Sequence, residues 1–317
     1  MGGTSTGAVI AAGLAKGLSV GQLLDLYVAH GAEMFDKASL LRQYHYRYNV
    51  EHLKGLLQDV LGKDTTFGSE DLKTLLLMVL RNATTGSPWP LSNNPRAHYN
   101  DPARADNNLN TPLWQLVRAS TAVPAYFPPE VVTVGPRDFV FVDGAVTMYN
   151  NPGFQLFLMA TLDEYRLAWA ATESDLLLAS VGTGMSPKAD DHLRPGDMNL
   201  LFNVSSVPAA LMYAALNEQD LLCRVFGRCR HGAPIDGEVG DLMQGEGLLK
   251  DRLFSYMRYN AELSRRGLDE LGLSDSVPEN VQKLDSVQYV GDLRRVGRAV
   301  AVDVAPKHFD RFLQAAP

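Results

Sequence analysis

The sequence contains very little cysteine, which limits the kinds of protein that it can encode. Two cysteines, Cys223 and Cys229, occur among its 317 residues. Two thiols cannot build a disulfide framework, and they are compatible with a reducing compartment. No histidine and cysteine pairing has the spacing of a zinc site. We therefore expect no metal, nothing in the sequence implies an organic cofactor, and the expected location is the cytoplasm.

Long apolar runs are also missing. Residues 75–80 form one of the longest, whereas a membrane-spanning helix needs about 20 apolar residues. The first residues do not show the basic, apolar and small-residue regions of a secretory signal peptide. The sequence therefore predicts neither a membrane span nor a signal peptide.

An excess of positive charge is the third absence. The chain has 29 Lys and Arg against 36 Asp and Glu, a net charge of -7. This balance argues against a nucleic-acid partner and against general attraction to anionic membranes. The cluster of Arg294, Arg295 and Arg298 is interpreted as a solvated helix face.

At 46% hydrophobic residues, the chain is ample for one large core or a core with an appended lobe.

A Gly-x-Ser-x-Gly motif stands at the start of the chain, formed by Gly3, Ser5 and Gly7. A catalytic serine needs a sharp turn that pushes its hydroxyl clear of the backbone, and we expect that side chains at either flanking glycine would collide. The small residues that follow predict a helix over residues 8–16. Its first turn would bring free N–H groups, such as that of Thr6, close to Ser5, where an oxyanion needs stabilising.

A second candidate site follows a buried strand predicted at residues 139–142. Asp143 ends this apolar segment and precedes Gly144 and Ala145. An Asp-Gly pair alone is typical of a turn. A carboxylate at the end of a buried strand, however, lies where open α/β sheets place their chemistry. Taken together, Ser5 and Asp143 are interpreted as a nucleophile and its base.

Several apolar segments of strand length predict the sheet. Residues 72–81 and 175–181 are typical of strands buried on both faces of a parallel sheet. Residues 88–92 contain prolines, which an edge strand tolerates. Residues 254–267 are predicted to be helical. Residues 209–226 carry a helical apolar stripe, which either faces the core, the favoured interpretation, or forms a lid or membrane-surface helix.

The sequence resembles the patatin-like phospholipases, a family of serine lipid acyl hydrolases. The resemblance rests on five segments that occur in the family's order, at residues 2–8, 119–129, 141–145, 150–152 and 180–184. It implies a three-layer α/β fold, with a mostly parallel central sheet between helices. It also implies a catalytic domain over residues 1–156, with residues 157–317 completing the same α/β unit and adding a C-terminal helical part.

The resemblance also implies a catalytic dyad without histidine. Ser5 matches the nucleophile and Asp143 the proton acceptor, while the motif and oxyanion residues are Gly3, Thr6, Gly7, Gly144 and Ala145. In this scheme Ser5 attacks an ester carbonyl of a lipid, and Asp143 then activates the water that releases the fatty acid. The expected partners are a lipid ester substrate and, transiently, a membrane surface.

A histidine triad is the alternative chemistry. His192, His231 and His308 could each be the third member, in the Ser-Asp-His order of α/β-hydrolases. Such an enzyme needs several strands before its serine, and only four residues precede Ser5 in this sequence. We therefore favour the dyad.

The sequence departs from the family pattern in one respect. Patatin-like proteins carry an upstream strand and a glycine-rich loop that supplies oxyanion N–H groups, and neither is present before Gly2. We expect a chain that is truncated at its N-terminus and belongs to a longer working protein. The alternative is a catalytically inactive relative that binds lipid or a partner.

Overall fold

The computed structural model describes residues 1–34, 46, 48–186, 194, 196, 198, 200–244, 249–283 and 285–313. The chain divides into two compact units, Met1–Trp169 and Ala170–Pro317. The sequence-based division after residue 156 stays a prediction.

The first unit alternates helices with the strands of one sheet. Its strands are β1 (Gly2–Thr4), β2 (Leu77–Asn82), β3 (Ser87–Ser92), β4 (Glu130–Val134) and β5 (Arg137–Asp143). The α-helices in its described part are α1 (Thr6–Lys16), α2 (Val20–Met34), α3 (Glu51–Leu61), α4 (Leu113–Ser120) and α5 (Gly153–Thr161). Leu53, Leu57 and Leu61 recur every four residues and are buried, so this spacing gives α3 its core-facing side.

Strand β2 organises the sheet of the first unit. β3 pairs antiparallel with it along its whole length. β1 pairs parallel with its first three residues, and β5 pairs antiparallel with its last three. Because β3 occupies one edge of β2 throughout, β1 and β5 must lie end to end along the other edge. This arrangement brings the C-terminal ends of β1 and β5 together.

The predicted edge strand at residues 88–92 is confirmed. It forms most of β3, and β2 is its strand partner among the described residues. Pro88 and Pro90 carry no backbone N–H, and the edge of β3 that faces away from β2 does not require one. The strand expected over residues 72–81 begins only at Leu77, because Leu72 closes a turn through its N–H bond to the carbonyl of Ser69.

The predicted α/β fold is confirmed, and the sheet of the first unit is mixed. In the first unit only β1 and β2 run parallel among the described strands, while β5 is antiparallel to β2 and to β4. An apolar run shows that a strand is buried on both faces, but it does not fix the direction of the neighbouring strand.

Helices cover both faces of this sheet. Met78 and Leu80 point to one face and share a core with residues of α1, α3 and α4. On the other face, a side chain at Gly2 would lie about as close to Leu156 of α5 as to Leu77 of β2, at 3.5 and 3.4 Å. The result is three layers, with the sheet in the middle.

The second unit contains a parallel sheet in the order β6-β8-β7. Its strands are β6 (Leu177–Val181), β7 (Arg228–His231) and β8 (Ser255–Tyr259). Its described helices of at least four residues are α6 (Leu200–Phe226), α7 (Arg265–Glu270), α8 (Pro278–Val281) and α9 (Val290–Ala301). The strand predicted at residues 175–181 and the helix predicted at residues 209–226 are confirmed by β6 and α6.

The prediction of a helix over residues 254–267 is wrong. Residues 255–259 form β8, which lies between β6 and β7 and is buried at every position. A strand covered on both faces shows no alternation of apolar and polar residues, so nothing local distinguishes it from a buried helix. The helix α7 begins only at Arg265, after Ser264 caps it by accepting from the N–H of Gly267.

Cys223 and Cys229 are buried free thiols. Within the described ranges, no group of three or more histidine, cysteine, aspartate or glutamate side chains could hold a metal ion. In the same part of the chain, no helix combines the length and the apolar character that crossing a bilayer requires.

Candidate active site

Ser5 alone connects the first strand to the first helix. β1 ends at Thr4 and α1 begins at Thr6, so the chain reverses direction within a single residue. Ser5 adopts φ 55° and ψ -127°, a conformation that costs a residue with a side chain about 1–3 kcal/mol. Such strain persists only where the surroundings impose it. This geometry matches the elbow that the glycine motif predicts.

The glycines on either side of Ser5 differ in their surroundings. A Cβ at Gly3 would lie 2.0 Å from the carbonyl oxygen of Gly7, so only glycine fits there. A Cβ at Gly7 would have no neighbour within 4 Å. The expected collision is therefore found at Gly3, and the steric reason given for Gly7 is wrong. The backbone carbonyl of Gly7 is the group that leaves no room for a side chain at Gly3.

Asp143 reaches Ser5 because of the strand register along β2. Thr4 is paired with Val79, and Asp143 is paired with the next residue, Leu80. The ends of β1 and β5 therefore meet, and Ser5 Oγ donates a hydrogen bond of 2.6 Å to Asp143 Oδ2. The structure thus brings together the two residues that the sequence proposes as nucleophile and base, at a distance suited to proton transfer.

The environment of Asp143 shifts its acidity towards neutral pH. The residue is fully buried, and burial raises the pKa of its carboxyl to about 7. The hydrogen bonds from Ser5 Oγ and from the Ala145 N–H, the latter 2.7 Å long, oppose this shift, as does the charge of Arg118. A base with a pKa near 7 is well matched to proton transfer at neutral pH.

Gly144 allows β5 to approach β2 closely at this point. A Cβ at Gly144 would lie 2.2 Å from the carbonyl oxygen of Val79 and 3.0 Å from Cγ2 of Thr4. A larger residue would push Asp143 away from the end of β1. Thr4 is itself fixed by a 2.7 Å hydrogen bond from its hydroxyl to the carbonyl of Tyr149.

The end of α4 and the residues just after it support both members of the pair, which the sequence analysis did not foresee. Ser120 Oγ accepts a 3.0 Å hydrogen bond from the Ser5 N–H and donates one of 2.7 Å to the Val79 carbonyl. The carbonyl of Ala122 accepts from the Asp143 N–H at 2.9 Å. The available signal was the position of Ser120 within residues 119–129, one of the segments on which the family resemblance rests.

Arg118 is a second residue that the sequence analysis missed. It is fully buried in α4, its Nη2 donates to the Pro128 carbonyl at 2.7 Å, and its guanidinium lies 5.5 Å from the centre of the Phe127 ring. Burial lowers its pKa. Its positive charge favours the ionised form of Asp143.

Two of the three candidate histidines contact each other within the second unit. His231 and His308 both belong to the second unit, where their rings stack with centroids 4.7 Å apart. Nδ1 of His308 also lies 2.8 Å from the hydroxyl of Tyr259. His192 lies outside the described residues. The hydroxyl of Ser5 is hydrogen-bonded directly to a carboxylate, and this observation favours a dyad over a triad.

The remaining motif residues fall into two groups. The N–H of Ala145 is used to hold the base, since it donates to Asp143 Oδ1. The N–H groups of Thr6 and Gly7 lie in the first turn of α1, where an α-helix has no internal acceptor for them. Their role as oxyanion donors stays a prediction.

Comparisons with known proteins agree with this description. The model of the family "Patatin-like phospholipase" matches residues 1–157, and these residues form a domain of this family. It is 28% identical over 192 residues to an intracellular phospholipase A2 of Caenorhabditis elegans, covering 58% of this chain and 16% of that protein. It is 28% identical over 194 residues to a cGAMP-activated phospholipase of Vibrio cholerae, covering 57% and 51%.

A plant protein shows a similar degree of likeness. Patatin group D-3 of Solanum tuberosum is 24% identical over 207 residues, covering 60% of this chain and 51% of the patatin. The chain thus spans about half the length of the bacterial and potato relatives that it matches.

Gly144, where a side chain would be crowded, and Gly7, where it would not, give a first test of the site's geometry. We expect Gly144→Ala to lower the free energy of unfolding by about 1–3 kcal/mol, because its methyl group meets the Val79 carbonyl. Gly7→Ala is the matched control: its methyl group meets nothing, and alanine favours a helix by up to about 1 kcal/mol. Urea denaturation measures both. Equal losses of stability would contradict the described approach of β5 to β2.

The buried carboxyl gives a second test. The raised pKa of Asp143 means that the native state binds a proton more readily than the unfolded state between about pH 4 and 7. This contribution to stability is present below pH 4 and is lost as the pH rises through 7. We therefore expect the stability of Asp143→Asn relative to the wild type to increase as the pH is raised from 5 to 8.

The measurement is the free energy of unfolding of both proteins at each pH. Asp59→Asn removes an exposed carboxylate on α3 and serves as the control, with an expected change within about 0.5 kcal/mol at every pH. A constant difference between Asp143→Asn and the wild type across this range would show that Asp143 does not titrate as described.

Proposed function

We propose that this protein is a serine acyl hydrolase that cleaves fatty-acyl ester bonds of phospholipids or lysophospholipids through a Ser5–Asp143 dyad. The observation that carries the proposal is the 2.6 Å hydrogen bond from Ser5 Oγ to a fully buried carboxylate. The elbow geometry of Ser5 and the membership of residues 1–157 in a phospholipase family support it.

In the acylation step, Asp143 accepts the proton of Ser5 as Oγ attacks the ester carbonyl. The carbonyl carbon becomes tetrahedral and its oxygen carries the negative charge. When the carbon–oxygen ester bond breaks, Asp143 returns the proton to the departing alcohol, and the acyl group remains on Ser5. The half-buried position of Ser5 leaves its hydroxyl within reach of a substrate.

In the deacylation step, Asp143 removes a proton from water, and the hydroxide equivalent attacks the acyl-enzyme. The products are a fatty acid and the free Ser5 hydroxyl, which regains its proton from Asp143. Because any nucleophile that reaches the acyl-enzyme can replace water, transfer of the acyl group to an alcohol uses the same intermediate.

The oxyanion is assigned in this scheme to the first turn of α1. The N–H groups of Thr6 and Gly7 follow Ser5 directly and lie at the positive end of the helix dipole. Ala145 contributes indirectly by orienting the carboxylate. Gly3 and Gly144 contribute by permitting close backbone contacts.

The family and the relatives support the proposed substrate class. The relatives include an intracellular phospholipase A2 and phospholipases activated by cGAMP. For this chain we propose a lipid ester as substrate, a cytoplasmic location, and transient contact with a membrane surface during turnover.

Labelling by a fluorophosphonate tests the nucleophile. We expect a single label on Ser5, found by peptide mapping, and none in Ser5→Ala. Ser19→Ala removes an exposed serine just before α2 and is expected to label like the wild type. Absence of label on a demonstrably folded chain would favour the alternative, a catalytically inactive relative that binds lipid.

The pH dependence of labelling tests the base. Ser5 is activated only while Asp143 is ionised, so the rate constant is expected to rise with pH, with a midpoint at about 7, and to level off above it. Asp143→Asn should lower the plateau by about 100-fold or more, the usual contribution of a general base. A rate that is flat between pH 5 and 9 would argue against Asp143 in this role.

A further inference from the structure

Ser120 is a buried polar residue at the point where three elements meet. It is the last residue of α4 and has no exposed surface. Its hydroxyl lies between two backbone groups, accepting from the N–H of Ser5 at 3.0 Å and donating to the carbonyl of Val79 at 2.7 Å. It therefore links the elbow to the central strand β2 through one side-chain oxygen.

This link replaces a hydrogen bond that the sheet does not supply. The pairing of β1 with β2 ends at Thr4, opposite Val79, so Ser5 is the first residue beyond the ladder. Its strained backbone persists only if its polar groups are held. The carbonyl of Ser5 accepts from Ala8 at 2.8 Å, and its hydroxyl donates to Asp143 at 2.6 Å. The N–H is the remaining group, and Ser120 holds it.

The same segment also holds the base. Two residues after Ser120, the carbonyl of Ala122 accepts from the Asp143 N–H at 2.9 Å. The end of α4 therefore contacts the backbone of both Ser5 and Asp143. Because this segment bonds to the backbone of each partner, it limits the distance between Ser5 and Asp143 in addition to the hydroxyl–carboxylate hydrogen bond.

We propose that Ser120 is a positioning residue, which holds the backbone of the nucleophile Ser5 in its strained conformation and so keeps Oγ aligned with Asp143. The proposal rests on the hydrolase function proposed above. Ser120 touches neither Asp143 side-chain oxygen nor, in the proposed scheme, the substrate. Its loss should therefore slow the reaction of Ser5 and leave the binding of a substrate or probe unchanged.

Ser255 provides a matched control in the second unit. It too is fully buried, accepts a hydrogen bond from a nitrogen, Nε of Arg230, and donates to a carbonyl, that of Glu173, both at 2.9 Å. Ser120→Ala and Ser255→Ala therefore each remove one hydroxyl oxygen together with two hydrogen bonds, one accepted from a nitrogen and one donated to a carbonyl. A merely structural role for Ser120 predicts that the two variants behave alike.

The first measurement is the fluorophosphonate labelling of Ser5 at several probe concentrations. For Ser120→Ala we expect the maximal rate constant to fall by about 10-fold to 100-fold, as for a misaligned reacting group, with an unchanged half-saturating concentration. Ser255→Ala should leave both values unchanged. The proposal is overturned if Ser120→Ala labels like the wild type, or if Ser255→Ala loses as much.

The second measurement does not depend on activity. In the wild type, labelled with ¹⁵N-serine and ¹⁵N-threonine, the Ser5 amide should exchange with solvent at least about 10-fold more slowly than that of Thr6, which a helix leaves without an acceptor. In Ser120→Ala this protection should disappear. Equal exchange of the two amides in the wild type would overturn the proposal even if the variant fails to fold.

The two measurements separate this inference from the hydrolase proposal. A wild type that does not label at Ser5 refutes the proposed function, and the amide exchange then decides alone whether Ser120 holds the elbow. A wild type that labels normally, with an unprotected Ser5 amide, keeps the function and refutes the role of Ser120.

Discussion

The arrangement of the first unit depends on one edge of β2, where two strands meet end to end. β1 approaches parallel to β2 and β5 antiparallel, and the register assigns their last residues to neighbouring positions, Val79 and Leu80. A serine just beyond one strand and an aspartate at the end of the other are thereby brought into contact. The mixed sheet is therefore the feature that creates the site.

Both members of the pair lower the stability of the fold that holds them. Ser5 occupies a strained backbone conformation, and Asp143 is a carboxylate removed from water. The compensation is local: Ser120 and Ala122, at and just after the end of α4, each supply one hydrogen bond to the backbone of the pair, and the Ala145 N–H satisfies the carboxylate. Stability lost at the site is thus balanced by polar contacts directly around it.

The local parts of this picture could be predicted from the sequence, whereas among the non-local contacts only the Ser5–Asp143 pair was anticipated, through the family resemblance. Glycine spacing around Ser5 and an Asp-Gly pair after an apolar run are visible within a few residues. The role of Ser120 depends on partners 115 and 41 residues away, which only the sheet register brings together. Likewise, the apolar run of β2 indicated a buried strand but not the directions of its neighbours, and β8 gave no periodic signal.

The separation of the pair along the chain has a consequence for biosynthesis. Ser5 and Asp143 are 138 residues apart, and β5, which ends at Asp143, is the last of the described strands of its sheet to be made. Closing so long a loop lowers the entropy of the chain before the non-local strand pairing can compensate for this loss. A nascent chain released before this strand would carry the serine without its base, so ribosomal synthesis itself delays the assembly of the pair until the first sheet is complete.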